Sequence, residues 1–259
     1  MAPILLSNAE IIRFVIVLTR ISGVLFFAPF FNIRSFPIQV RIAFTLAAAF
    51  ILAPSLPLNN LPAELNLGNV ALILINEIMF GLVIGFAATL VFAGLQFAGQ
   101  IMSFQMGFSL INVIDPQTEV QSSVFSFLNN YIGLLFFLLI NGHHWFLLAI
   151  NESFSVLPVG GIQVQAPLVE YIVNLSAQML VIAIRIAGPI IIVTIITDVL
   201  IGVIGRTAHY VNILIVGLPL KVMVGFACMS FTFYFLPSYL EHIYSDLYET
   251  MFSLIHAMT

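Results

Sequence analysis

Apolar positions in this chain come in long runs, and polar positions sit between the runs. The first run, 11–31, is 21 residues long and would reach about 31 Å as a helix, enough to cross a bilayer. A shorter run over 40–58 is closed by Pro54 and Pro57. The third, 69–101, would extend to about 50 Å, so it must tilt, kink or protrude. A fourth covers 124–150 and is ended or interrupted around Asn141-Gly-His-His144. The fifth, 168–205, is expected to break at Gly188-Pro189. The last is split into 208–216 and 222–240 by Gly217-Leu-Pro-Leu-Lys221, and 241–259 reads as an acidic, mildly amphipathic helix. Six spans follow, with room for five to seven, and an all-α fold of helical hairpins with broken helices.

Composition places those helices in a membrane. The chain is 61% hydrophobic and 7% charged, with a mean hydropathy of +1.15. Soluble domains carry about 25% charged residues. The formal charge of −4 is small and scattered, which argues against nucleic acid as a partner. Cys228 is the single cysteine, so no disulfide forms within the chain. Residues 1–10 have no basic segment ahead of a short apolar core, so the first run is expected to be retained. Arg34 and Arg41 flank the first connection, and Arg206 and Lys221 the last, which places both connections in the cytoplasm.

One stretch, 96–121, is too polar for lipid and too apolar for a solvated loop, and it contains no Lys or Arg. Amides, Gly, Met and Phe at membrane depth point to backbone enclosed by protein, lining a pathway or gate. Gln96 and Gln100 share a helix face, suited to interhelical hydrogen bonds or a hydrated lumen.

Four charges fall within apolar runs: Arg20, Glu77, Arg185 and Asp198. Each must face protein or water, as a structural pair or as a proton or ion relay. The pairs Arg185–Glu77 and Arg20–Asp198 are both open. Gly81 and Gly85 follow Glu77 on one face and would admit a neighbouring helix closely. His143 and His144 are adjacent, so a regular helix aims them at different faces, and a metal site is not expected. No nucleotide loop, nucleophile elbow or paired carboxylates occur, so neither an enzyme nor a cofactor is expected.

Six segments in order carry a family resemblance. They are Arg20-Ile-Ser-Gly23 with Ala28-Pro29-Phe30; Arg34-Ser-Phe-Pro37 with Val40-Arg41; Gln105-Met-Gly-Phe108 with Asp115-Pro116; Asn141-Gly-His-His144 with Ser153-Phe154 and Leu157-Pro158; Ala187-Gly-Pro189; and Arg206, Asn212 and Pro219-Leu-Lys221. Together they resemble the flagellar biosynthetic FliR family and its injectisome relatives, over nearly the whole chain. His209-Tyr210 departs from the family's usual Pro-Gln.

The resemblance implies a pore-forming subunit of a helical, multi-subunit type III export gate in the bacterial inner membrane, at the flagellar basal body. Implied partners are FliP and FliQ, then FlhB and FlhA, unfolded export substrates and membrane lipid. It implies a FliP-like part over 1–178 and a FliQ-like hairpin over 179–259, the whole partly raised out of the membrane plane. It also implies a pore plug over 105–118, with Gln105, Met106, Gly107, Phe108, Asp115 and Pro116 as gate residues. The alternatives are an injectisome counterpart, a secondary transporter built around Glu77, Arg185 and Asp198, and, more remotely, an intramembrane protease.

Overall fold

The computed structural model describes residues 8–29, 31, 37–55, 67–108, 123–163, 165–207 and 212–258. Among them the chain is all α: α1 (Asn8–Phe27), α2 (Ile38–Leu52) with a 3-10 turn at Ala53–Ser55, α3 (Leu67–Gln105), α4 (Val124–Leu139), α5 (Gly142–Val156), α6 (Ala166–Thr207) and α7 (Ile213–Ala257). Asp115, Pro116, Arg34 and His209-Tyr210 lie outside the described residues.

The fourth apolar run is interrupted, as its Asn-Gly signal suggests. Helices α4 and α5 meet at 65°. The corner is Asn141, in the left-handed region at φ 57° and ψ 31°. Asn is among the few side chains that enter this region readily.

Two expected breaks are absent. Helix α6 runs through Pro189 without interruption, and α7 runs through Pro219 and Pro237 and absorbs the acidic tail as far as Ala257. A proline removes one rung of the ladder, at about 3 kcal/mol. Unwinding several residues in apolar surroundings strands more backbone groups, each at about 1–3 kcal/mol or more, so continuity wins.

The span count falls accordingly. Among the described residues, helices α3, α6 and α7 are long and apolar enough to cross a membrane, and the bent α4–α5 pair makes a fourth if counted as one. Helix α2, at 15 residues, reaches only about 22 Å. Helix α1 carries Glu10, Arg13 and Arg20 within its 20 residues.

The chain forms two compact units. The first comprises Met1–Leu90, Ile140–Leu175 and Ser245–Thr259; the second comprises Val91–Leu139 and Ser176–Tyr244. In the first, Val17, Ile21 and Val24 make a buried stripe at helical spacing on α1, continued by Ala28 just past its end. That stripe meets α3 where Gly23 and Gly81 touch: a Cβ on Gly81 would stand 2.3 Å from the Gly23 carbonyl carbon. The second unit is aromatic at its centre. The Tyr244 ring lies 5.3 Å from that of Phe137 and 5.8 Å from that of Phe92, and its hydroxyl donates to the Gly133 carbonyl at 2.8 Å.

Candidate functional site

The first unit holds a fully buried ion pair. Arg20 and Glu77 occupy the core-facing stripes of α1 and α3, and neither exposes any surface. Arg20 engages the carboxylate twice, with Nε donating to Oε2 and Nη2 to Oε1, the latter at 3.0 Å. This parallel, charge-assisted arrangement is the strong geometry for a guanidinium and a carboxylate. Nη1 donates to Ser153 Oγ at 2.9 Å, and Ser153 donates to the Ile150 carbonyl at 2.6 Å. The guanidinium lies 4.3 Å from the Phe154 ring centroid and 5.0 Å from that of Phe80.

Glu77 is engaged on a second side. The Gly160 N–H donates to Oε1 at 3.2 Å, and Asn76 Nδ2 donates to the Gly160 carbonyl at 2.9 Å. One carboxylate thus ties α1, α3 and the turn after α5. The open pairings resolve differently from either expectation: Arg20 takes Glu77, and Asp198 takes Lys221 at 2.7 Å in the second unit. The Asp198–Lys221 pair is partly exposed, with the carboxylate side chain 51% accessible. Arg185 is exposed on α6, and among the described residues no carboxylate lies within 4 Å of it.

The second unit contains the described part of the 96–121 stretch. Helix α3 ends at Gln105 in a Schellman turn: Phe108 N–H bonds to the Ser103 carbonyl at 3.0 Å and Gly107 N–H to the Phe104 carbonyl at 3.1 Å. Gly107 has φ 87°, which this cap requires and a side chain resists. Met106 is wholly buried against α7, where a Cβ on Gly225 would come within 2.6 Å of it. Phe108 joins Phe125 and Phe226, at ring distances of 5.2 and 6.2 Å. The Gln105 Oε1 accepts a long hydrogen bond, 3.5 Å, from the Thr194 hydroxyl.

Ser123 immediately precedes α4. Its hydroxyl caps α4 by accepting from Ser126 N–H at 3.0 Å and lies 3.2 Å from the Gly99 carbonyl. Phe108 thus packs on Phe125, two residues after Ser123. Gln96 donates to Asn130 at 3.0 Å, an interhelical bond of the kind its amide suggested.

His143 and His144 stack at 4.3 Å, and among the described residues no three His, Cys, Asp or Glu side chains gather as a metal site. The functional contacts that sequence reasoning missed are Ser153, Gly160 and Ser123. The Ser-Phe pair at 153–154 was noted as a motif, but nothing in one sequence links it to Arg20, 133 positions away.

Residues 11–247 match the family model described as Bacterial export proteins, family 1. The chain is 32% identical over 254 residues to flagellar biosynthetic protein FliR of Bacillus subtilis, covering 93% of this chain and 94% of the relative. It is 27% identical over 239 residues to FliR of Escherichia coli, covering 92% and 90%. To FliR of Aquifex aeolicus it is 29% identical over 207 residues, covering 80% and 79%. A membrane protein with these helices, matched over nearly its full length by one family, belongs to the FliR-type bacterial export proteins, family 1.

Proposed function

We propose that this chain is a pore-forming subunit of the flagellar type III export gate, passing unfolded flagellar proteins across the bacterial inner membrane at the basal body. It acts in transport and not as an enzyme. The observation that carries this reading is the extent of uncovered apolar surface on helices too long for a bilayer. Helix α6 has 42 residues and α7 has 45, so they measure about 63 and 68 Å against a hydrocarbon core of about 30 Å. Exposed apolar side chains on α6 run from Val169 to Ile204. Lipid covers part of that length, and the remainder calls for other subunits, with FliP and FliQ first and FlhB and FlhA after them.

The second part of the proposal concerns the gate. The 105–118 segment, including Asp115 and Pro116, acts as the plug. Gln105–Phe108 is its root: Gly107 turns the chain off α3, and Phe108 pins the exit beside the return at Ser123. In this assignment Met106 packs behind the plug. The sequential division into a FliP-like 1–178 and a FliQ-like 179–259 belongs to the same proposal.

Removing 110–114 tests the plug while keeping the Schellman turn and the Ser123 cap. The complex should assemble, and its ion conductance in planar bilayers should rise severalfold. Unchanged conductance in an assembled complex would refute the plug assignment. The named relatives are flagellar, which favours the flagellar reading over the injectisome; restored motility in a deletion strain separates the two. The transporter reading loses support because the fourth run is the one broken span among the described residues, whereas repeated halves need two.

A further inference from the structure

Arg185, which no carboxylate among the described residues approaches, sits at the mouth of a cavity. Arg185, Ile186 and Pro189 of α6 face Phe231, Phe235 and Tyr239 of α7 around a space of about 280 Å³. Phe231 is 62% and Phe235 54% exposed, so the aromatic wall opens outward. The site is amphipathic: one guanidinium, one phenol and a broad apolar face.

Its level along the helices is set by the pattern of polarity. Arg185 and Arg206 are 21 residues apart, roughly 31 Å along α6, which matches the hydrocarbon thickness of about 30 Å. The one charge between them, Asp198, is neutralised by Lys221. On the far side of Arg185, α6 becomes polar, with Glu170, Asn174, Ser176 and Gln178. Helix α7 changes at the same level, where Tyr239 is followed by Glu241, His242 and Asp246. A tyrosine and an arginine together at such a transition mark a membrane–water interface.

From this placement we infer that the cavity is a binding site for the headgroup of an anionic phospholipid. The phosphate pairs with the Arg185 guanidinium, and an acyl chain lies along Phe231 and Phe235. Pro189 has no N–H to give the Arg185 carbonyl on the same helix face, which leaves an acceptor for a headgroup hydroxyl. Phosphatidylglycerol supplies both groups. A phosphate at the interface also removes the cost of an unpaired guanidinium beside hydrocarbon.

Native mass spectrometry of the full-length chain, with whatever subunits co-purify, tests the assignment. The probes are phosphatidylglycerol and phosphatidylcholine added to delipidated protein in detergent. The expected result is one saturable phosphatidylglycerol adduct, about tenfold tighter than phosphatidylcholine. Arg185→Gln should abolish that preference, whereas Arg185→Lys and Arg206→Gln should retain it. Equal binding of the two lipids, or an unchanged preference in Arg185→Gln, would overturn the site. If Arg185→Gln instead sheds a protein subunit and leaves lipid binding intact, a partner carboxylate occupies the cavity and the lipid assignment is wrong.

Discussion

Removing one member of the Arg20–Glu77 pair leaves the other charged, buried and without its partner. Breaking such a pair costs about 3–5 kcal/mol, whereas replacing both members with apolar residues of similar volume is often neutral or better. Glu77→Ala should therefore lower the yield of folded, assembled protein sharply, and Arg20→Met with Glu77→Leu should recover much of it. Thermal unfolding in detergent would show the order. An assembled Glu77→Ala protein whose export has lost its pH dependence would instead make Glu77 a relay. The sequence shows that both residues lie within apolar runs and need a partner. It does not show which partner, because Arg185–Glu77 and Arg20–Asp198 satisfy the same apolar pattern as the pairs that form. Distance in three dimensions decides among them, and the contacts span 57 and 133 positions.

Helix contacts in the first unit depend on the absence of side chains at one crossing. Gly81 meets Gly23 with no room for a methyl group, whereas Gly202 on α6 has nothing within 4 Å. Gly81→Ala should destabilise by about 1–3 kcal/mol through overpacking. Gly202→Ala should be neutral or slightly stabilising, since it restores helix propensity. Melting followed by circular dichroism would compare them, and equal effects would contradict the crossing. The close approach at Gly81 was legible because a glycine one turn from a buried charge has few other uses. Helix breaks were less legible. An Asn-Gly corner broke the fourth run, but three prolines did not break α6 or α7. The difference is physical: Asn141 offers a left-handed conformation that turns the chain, while a proline only removes a hydrogen bond.

Over the whole molecule, α6 and α7 carry exposed apolar side chains over a length greater than a bilayer covers, which makes the isolated chain a poor candidate for independent stability. Co-expression with FliP and FliQ should raise the yield of monodisperse protein, and native mass measurement should find the three chains in one complex. Recovery of a stable monomer that ignores both would contradict the assembly. Membership in an export family was legible from six short motifs in order; the partners of each exposed face were not, because lipid and protein ask for the same apolar side chains. The buried ion pair carries a further consequence, for synthesis. Arg20 emerges from the ribosome 57 residues ahead of Glu77, and Ser153 follows 133 residues behind Arg20. At about 5–20 residues per second, the guanidinium waits roughly 3–11 seconds for its carboxylate. Entering hydrocarbon alone costs about 2.5–3.5 kcal/mol on the insertion scale. On that scale α1 would be expected to wait at the interface until α3 arrives, so that the guanidinium leaves water only with its carboxylate.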